Sequence, residues 1–161
     1  MAVDMFLKIG DIKGEAQDSK HKGQIDIMSW SWGMSNSGTT HMGGGGGSGK
    51  VNVQDISFTK FVDSASSALI MHCCNGRHFP SAQLIVRKSG GDKPVEYVKL
   101  ELEDIIISSF STGGSGSEDR LTESISLNFS KFKFSYSPQK ADGSAAAAIE
   151  AGWDIAKNVK V

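Results

Sequence analysis

The chain has 161 residues, of which 17 are Lys or Arg and 18 are Asp or Glu, so its formal net charge is −1. A balance so close to neutral gives no long-range attraction to nucleic acid or to anionic lipid. The longest apolar runs are too short to cross a membrane, and the N-terminal MAVDMFLKIGD lacks the basic and apolar regions of a secretory signal. We therefore expect a single domain over residues 1–161, made in the cytoplasm, with no nucleic-acid partner and no membrane insertion.

Period-two alternation predicts the first two strands. The first strand carries apolar residues on one face, namely Val3, Met5, Leu7 and Ile9. The segment QIDIMSWSWGM (24–34) predicts a second strand with informative residues on both faces. Trp30 and Trp32 share one face with Met28, while Ser29, Ser31 and Gly33 lie on the other.

The middle of the chain predicts a bent strand followed by a helix. In VNVQDISFTKF (51–61), Val51 and Val53 lie on one face and Ile56 and Phe58 on the opposite face, which indicates a bulge or a bend. DSASSALIMHCCNG (63–76) predicts the one helix. Asp63 or Ser64 can cap its first amides, an apolar stripe recurs at four-residue spacing, and Gly76 stands where a left-handed stop is expected.

Further strands are predicted at 78–88, 95–110 and 121–136, the last with a second change of apolar phase. In it, Ile125, Leu127 and Phe129 line one face and Phe132, Phe134 and Tyr136 the other. The AAAA segment (145–148) predicts either a short helix or a linker, and GWDI (152–155) a last short strand. Many strands, one helix and repeated phase changes are typical of a β-barrel or a tightly packed two-sheet sandwich.

The glycine run in HMGGGGGSGK (41–50) partly matches the phosphate-binding pattern G-x-x-x-x-G-K-[ST], with Gly44, Gly49 and Lys50 in the right places. However, Val51 stands where the magnesium-binding hydroxyl is required. The following VNVQDISFTK also reads as a strand, although a phosphate loop needs a helix N-terminus there. A flexible loop between two strands is the better interpretation, and no nucleotide cofactor is expected.

Other candidate chemistry is equally weak. Neighbouring Cys73 and Cys74 point about 100° apart on a helix, so His72, Cys73, Cys74 and His78 are a poor metal site, and the thiols are expected to be free. The serine-hydrolase pattern G-x-S-x-G fails because Ser117 replaces its last glycine. Glu101 and Glu103 read as a solvated strand face, and Trp30 and Trp32 as core rather than a stacking platform. We expect no catalytic, cofactor-binding or metal site.

Several long segments, in the same order along the chain, carry a family resemblance. They are MAVDMFLKIGDIKGEA, IMSWSWGMSNSGTTHMGGGGGSGKVNVQDISFTK, STGGSGSEDRLTESISLNFSKFKFSY and the final GWDI. Together they resemble the haemolysin-coregulated protein (Hcp) family, the tube protein of the bacterial type VI secretion system. The stretch from Ala141 to Ala151 resembles it least.

The resemblance implies an all-β fold, a two-sheet β-barrel with one flanking α-helix, that assembles into hexameric rings. It further implies that rings stack into a tube, which a contractile sheath propels together with a spike protein. The lumen would carry and chaperone small effector proteins, and the protein would leave the cell through this apparatus without a signal peptide.

Two sets of site residues follow as hypotheses. Glycines let a loop lie close against another backbone, and a stacked ring needs a projecting element, so we expect the segment 35–50 to contact the next ring. The residues assigned to this ring-stacking segment are Ser35, Asn36, His41, Met42, Gly43, Gly44, Gly45, Gly46, Gly47, Ser48, Gly49 and Lys50. If Trp30 and Trp32 pack inside, the small uncharged Ser29, Ser31 and Gly33 suit a lumen wall that touches varied cargo.

Two other classes of function stay open at this point. The barrel also resembles that of contractile-phage tail tubes, so a tail tube protein is the nearest alternative. A stand-alone ligand-binding β-barrel that uses Trp30 and Trp32 is the other. Rings would distinguish the tube proteins from the monomeric ligand binder.

Overall fold

A computed structural model of the chain describes residues 3–38, 41, 49–88 and 93–161. Within these residues the protein has eleven strands and one helix. In chain order they are β1 (Val3–Ile9), β2 (Ile25–Asp26), β3 (Ser29–Ser31), β4 (Met34–Ser35), β5 (Asn52–Val53), β6 (Ile56–Phe61), α1 (Ser66–Asn75), β7 (His78–Lys88), β8 (Val95–Gly113), β9 (Thr122–Tyr136), β10 (Ile149–Asp154) and β11 (Val159–Lys160).

One antiparallel sheet contains most of the strands, in the order β11-β10-β9-β8-β7-β1-β2. The long β9 pairs with β8 along nearly its whole length. On its other side, the first half of β9 pairs with β6 and the second half with β10. β3 joins the sheet through β6, and β4 and β5 form a separate two-stranded ribbon. The predicted all-β class with one helix is confirmed.

The prediction of one continuous strand over 24–34 is wrong, because the segment changes partners. β2 pairs with β1, whereas β3 pairs with β6. The change occurs at Ile27 and Met28, whose N–H groups donate to the carbonyls of Met5 and Thr59 at 3.0 and 2.8 Å. The hydrogen bonds of this segment therefore lie in three different ladders.

The predicted β-barrel also needs correction. The segment 25–31 connects the two edges of the sheet in only one half of it, because β2 pairs with β1 and β3 pairs with β6. In the other half, Val3 and Asp4 of β1 pair only with β7, and Ile149 to Ala151 of β10 pair only with β9. Because no described strand lies between these two edges, the sheets are not closed into a barrel.

The predicted change of apolar phase within β9 is confirmed, and it has a local cause. Leu102 and Ile105 of β8 are three residues apart, yet both are buried, because Asp104 between them adopts a left-handed backbone with φ 54°. On β9 the facing Phe129 and Phe132 are likewise both buried. The two predicted faces of β9 thus turn toward the same core, although Tyr136 at its end is exposed.

Helix α1 begins at Ser66, three residues later than the predicted start, and ends as predicted. Asp63 Oδ1 accepts a hydrogen bond from the Ala65 N–H at 2.9 Å. Gly76 has φ 65°, and its N–H donates to the His72 carbonyl at 3.1 Å, which closes the last turn. The predicted apolar stripe consists of Ala65, Leu69 and Cys73, and the first two of these are fully buried.

The C-terminal region differs in detail from the prediction. Residues 145–148 form neither a helix nor a strand, apart from an isolated bridge between Gln139 and Ala145. The last predicted strand is present but begins earlier, at Ile149, and the short β11 was not predicted. The domain prediction, a single unit over residues 1–161, stays a prediction.

Candidate functional site

A face of small hydroxyl residues crosses four neighbouring strands, β3, β6, β9 and β8. The strand register places these residues in two rows, which we call the hydroxyl face. One row is Ser31, Ser57, Ser126 and Ser109, and the other is Ser29, Thr59, Ser124 and Ser111. Ser29, Ser31, Ser109, Ser111 and Ser124 are exposed, and the other three are partly buried.

The opposite face of the same strands is the core. Between the two hydroxyl rows runs an apolar row formed by Trp30, Phe58, Ile125 and Phe110. Phe58 and Ile125 are almost completely buried, and Trp30 packs against the core cluster. The prediction that Trp30 faces inward and Ser29 and Ser31 face away from it is therefore confirmed, because neighbouring residues on a strand point to opposite sides.

A third polar group lies beside the row of Ser31. The Asp55 carboxylate accepts hydrogen bonds from Ser108 Oγ at 2.6 Å and from Asn128 Nδ2 at 2.8 Å. Gly33 lies next to this segment, since its carbonyl accepts the Gln54 N–H at 3.0 Å. Ser29 and Ser31 thus stand at the β3 ends of the two hydroxyl rows, whereas Gly33 follows β3 and contacts Gln54.

The hydroxyl face offers hydrogen bonds rather than an activated nucleophile. Ser57 Oγ lies 3.0 Å from Ser126 Oγ, so these two hydroxyls bond to each other across the strands. A nucleophilic serine needs a neighbouring base that accepts its proton, and the carboxylate beside these rows, Asp55, bonds to Ser108 and Asn128 and not to a serine of either row.

Sequence reasoning found only the β3 members of the hydroxyl face. The other members alternate with apolar residues in their own strands, as Ser57 and Thr59 do with Ile56 and Phe58. The alternation can be read from the sequence, but the strand register that brings the four strands together cannot. Neighbouring serines on distant parts of the chain therefore went unnoticed.

The predicted ring-stacking segment is only partly described. Met42 to Ser48, including Gly43 to Gly47, lie outside the described residues. Ser35 on β4 faces Asn52 on β5, and the Gly49 N–H donates to the Ser37 carbonyl at 3.3 Å. The two arms of the segment therefore run antiparallel and side by side. Asn36, His41 and Lys50 are exposed.

An apolar groove lies beside this ribbon and has a volume of about 690 Å³. Its lining includes Trp32, Met34, Val53, Phe132, Phe134 and Trp153, with Lys50 among the polar residues. Trp32 packs edge-on against Phe132 with ring centroids 4.8 Å apart, and its Nε1–H donates to the Gln54 carbonyl at 3.0 Å. Trp32 thus forms part of both the core and the groove, which agrees with its predicted packing.

The residues of the rejected metal cluster are engaged in other contacts. His72 packs edge-on against Phe79 with ring centroids 5.3 Å apart, and His78 Nδ1 lies 3.1 Å from Asp104 Oδ1. Cys73 and Cys74 are free thiols, as predicted. Among the described residues, no group of three or more His, Cys, Asp or Glu side chains is arranged to hold a metal ion.

Comparison with known proteins gives the family. The family model described as type VI secretion system effector, Hcp, matches residues 6–136. The chain belongs to the Hcp family. It is 55% identical over 161 residues to the protein hcp1 of Pseudomonas aeruginosa, a match that covers 99% of each chain.

Solved structures of Hcp proteins have the same fold. A structure described as a type six secretion system protein superposes with a TM-score of 0.93 at 30% identity, covering 99% of this chain and 100% of the other. Hcp1 from Salmonella typhimurium superposes with a TM-score of 0.82 at 36% identity over the full length of both chains. The Hcp resemblance read from the sequence is therefore confirmed. Within the described residues, no helix has the length and apolar character needed to span a bilayer.

Proposed function

We propose that this Hcp protein is the structural subunit of a type VI secretion tube, in which hexameric rings stack end to end. The observation that carries the proposal is the match to an Hcp protein over 99% of both chains. A contractile sheath and a spike protein are the expected partners in propulsion. The protein itself then reaches the outside through the apparatus, and it acts without catalysis.

The hydroxyl face is the proposed lumen wall. Ser29 and Ser31 lie in two rows of small hydroxyl residues that contain no large apolar and no charged side chain, and Gly33 follows them on the same segment. Such a surface gives cargo little apolar area to bind and no strong charge to pair with. It would hold small effector proteins reversibly, as a carrier and chaperone must.

The segment from Ser35 to Lys50 is the proposed ring-stacking element. Its described arms run together as an antiparallel pair that leads to a glycine-rich stretch. Glycine permits close approach between backbones. The segment can therefore seat against the next ring without side-chain clashes.

Light scattering coupled to size exclusion, followed by electron microscopy of the purified protein, tests the assembly. We expect ring-sized particles that are hexameric by mass, and tubes at high concentration. A monomer at all concentrations would contradict the proposal and favour the ligand-binding barrel.

The lumen assignment has its own test. Ser31→Trp puts a bulky ring on the hydroxyl face, and we expect intact rings that retain at least about tenfold less effector in co-purification. Ser117→Trp, in the exposed loop before β9, is the matched control and should retain effector normally. Unaltered retention by the Ser31 variant would contradict the assignment.

A further inference from the structure

The hydroxyl face continues beyond its first row into a group that carries a charge. Asp55 stands two residues before Ser57 in the chain, and Asn128 stands two residues after Ser126. Residues two apart on a strand share a face, so both side chains lie on the side of the hydroxyl face. The hydrogen bond from Asn128 Nδ2 to Asp55 at 2.8 Å agrees with this placement. The two hydroxyl rows are uncharged, and a carboxylate borders them.

No cation of the chain is paired with this carboxylate. Asp55 is partly buried, and it forms no ion pair with any described residue. A carboxylate can accept about four hydrogen bonds. Among the described residues, only Ser108 Oγ and Asn128 Nδ2 donate to Asp55. Acceptor positions therefore remain for donors that come from another molecule.

Charged residues of the neighbouring strands point away from this surface. Lys60 on β6 and Glu123 on β9 are buried on the opposite side, where they bond to each other. Lys50 lines the apolar groove together with Trp32, which also belongs to the opposite side of the sheet. These residues leave the charge of Asp55 uncompensated.

Two further charged groups mark the ends of the face. Arg120 lies over the Phe61 ring, with Cζ 3.9 Å from the ring centroid. Phe61 is six residues from Asp55 along the strand, a separation of about 20 Å at about 3.3 Å per residue. Charges at that distance are largely screened at physiological ionic strength. At the other end, His78 Nδ1 lies 3.1 Å from Asp104 Oδ1, so this imidazole already has a carboxylate partner.

We propose that Asp55, supported by Ser108 and Asn128, is the site at which the lumen wall binds positively charged side chains of the cargo. The proposal rests on the proposed function, which makes the hydroxyl face the lumen wall. Each subunit of a ring contributes one such carboxylate, so the wall carries a closed belt of negative charge. A Lys or Arg side chain of the cargo donates charge-assisted hydrogen bonds to the free acceptor positions of Asp55.

The belt gives the lumen a preference among effector proteins. Rings of carboxylates select cations in channels, and the same electrostatics act in a passage that is otherwise lined by neutral hydroxyls. Basic segments of an effector are attracted to the belt, and acidic segments are repelled by it. Because Asp55 adjoins small polar residues rather than an apolar pocket, the contact depends on salt and is reversible.

Binding of labelled peptides to the purified protein tests the site. The probes are fluorescein-labelled peptides of equal length with alternating Gly-Arg, Gly-Ser or Gly-Glu sequences. We expect fluorescence anisotropy at low salt to give the Gly-Arg peptide a dissociation constant at least about tenfold below those of the other two. This preference should shrink as the salt concentration rises.

A neutral variant of nearly the same size removes the charge. Asp55→Asn should reduce the preference for the Gly-Arg peptide to less than about twofold, because the amide does not attract a guanidinium. Asp142→Asn makes the same chemical change in an exposed turn beyond the end of β9 and is the matched control. We expect the control to keep the full preference of the wild type.

A second variant tests the site with Asp55 and its two partners in place, in case Asp55→Asn disturbs the fold. Ser109→Lys adds a cation at an exposed position of the hydroxyl face, next to Ser108 in the chain. The added charge should compensate Asp55 and reduce the preference to less than about twofold. Ala141→Lys adds the same charge at the exposed turn and should leave the preference unchanged.

Light scattering on the same samples separates this proposal from the proposed function. A wild type that is a monomer contradicts the ring, and the belt with it. If the wild type is a ring that binds all the peptides equally, or if the Asp55→Asn ring keeps the full preference, the ring stands and the carboxylate site is wrong. Loss of the preference in the Asp55 and Ser109 variants, with normal controls, supports the site.

Discussion

Lys60 is the residue whose position departs most from ordinary sequence rules. It follows Ile56 and Phe58 on the inward face of β6, and its side chain is completely buried. Its ammonium group is bonded to Glu123, to Asp63 Oδ1 at 2.9 Å and to the Phe61 carbonyl at 2.8 Å. The buried charge is tolerated because each of its donors has an acceptor.

Lys60→Met is expected to lower the free energy of unfolding by about 3–5 kcal/mol, since it leaves the Glu123 carboxylate buried without its cation. The double variant Lys60→Met with Glu123→Leu should recover much of this loss, because the uncompensated charge is gone. Urea denaturation at one protein concentration measures both. Lys99→Met, at an exposed ion pair with Glu101, is the control and should change stability by less than about 1 kcal/mol. Equal stability of the wild type and the Lys60 variant would contradict the argument.

Asp18 links the segment before β2 to β7 through Arg87. The hydrogen bond from Arg87 is the main reason that the pKa of Asp18 lies well below its ordinary value. A carboxylate with a lowered folded pKa stabilises the fold above its unfolded pKa of about 3.9, and this contribution is lost as the pH falls through the folded value. Asp18→Asn should therefore lower the thermal midpoint at pH 7.

The pH dependence of that difference is the decisive measurement. We expect the gap between the wild type and Asp18→Asn to narrow as the pH falls below about 4. Ser117→Ala changes a residue that does not titrate, and its difference from the wild type should stay constant. A gap for Asp18→Asn that is equally large at pH 7 and pH 3 would show that the carboxylate acts only through packing.

At the scale of elements, the residue that ends α1, Gly76, is restricted by its backbone conformation and not by a lack of space for a side chain. A Cβ at Gly76 would meet only Ile106 Cδ1, at an ordinary contact distance of 3.9 Å. The cost of Gly76→Ala is therefore expected to come from the left-handed backbone, and to be about 1 kcal/mol in unfolding. Gly76→Asn should cost less, because Asn tolerates this conformation better. Thermal denaturation of the wild type and the two variants measures their order of stability. A Gly76→Ala variant as stable as the wild type would contradict the argument from the left-handed backbone.

The element predictions from the sequence succeeded where local pattern decides the outcome. The pattern of apolar residues in β7 predicted its bounds correctly. Gly76 correctly predicted the end of α1, because that end depends only on a local left-handed turn. The segment 24–34 was misread, since its division into three strands depends on the distant partners β1, β6 and β5. Lys60 could not be placed inside for the same reason: its partner Glu123 lies 63 residues away in sequence.

At the scale of the whole molecule, the family and the β class could be read from the sequence, but closure and the complete site could not. A barrel requires pairing between β1 and β10, which the described strands do not make. The hydroxyl face likewise appears only when the register of four strands is known. Of its members, the sequence singled out Ser29 and Ser31, because both lie on one strand opposite two tryptophans.

Deletion of Gly43 to Gly47 tests the stacking segment at this scale. We expect the shortened protein to form rings of normal mass, because the segment is proposed to contact the next ring and not its neighbours within one ring. Tubes should be absent at concentrations where the wild type forms them, since the segment can no longer reach the next ring. Electron microscopy of both proteins measures this, and normal tubes from the deletion variant would rule the role out.

The long ladder between β8 and β9, which is interrupted by a shift of register between Ile107 and Ser109, has a mechanical consequence for a subunit of a tube. Their pairing runs from Val98 and Tyr136 to Gly113 and Thr122. Hydrogen bonds in an antiparallel ladder lie perpendicular to the strands. A load applied lengthwise strains all of them at once in shear, whereas a load applied sideways breaks them one after another. Stiffness is therefore greatest in the direction in which β8 and β9 run.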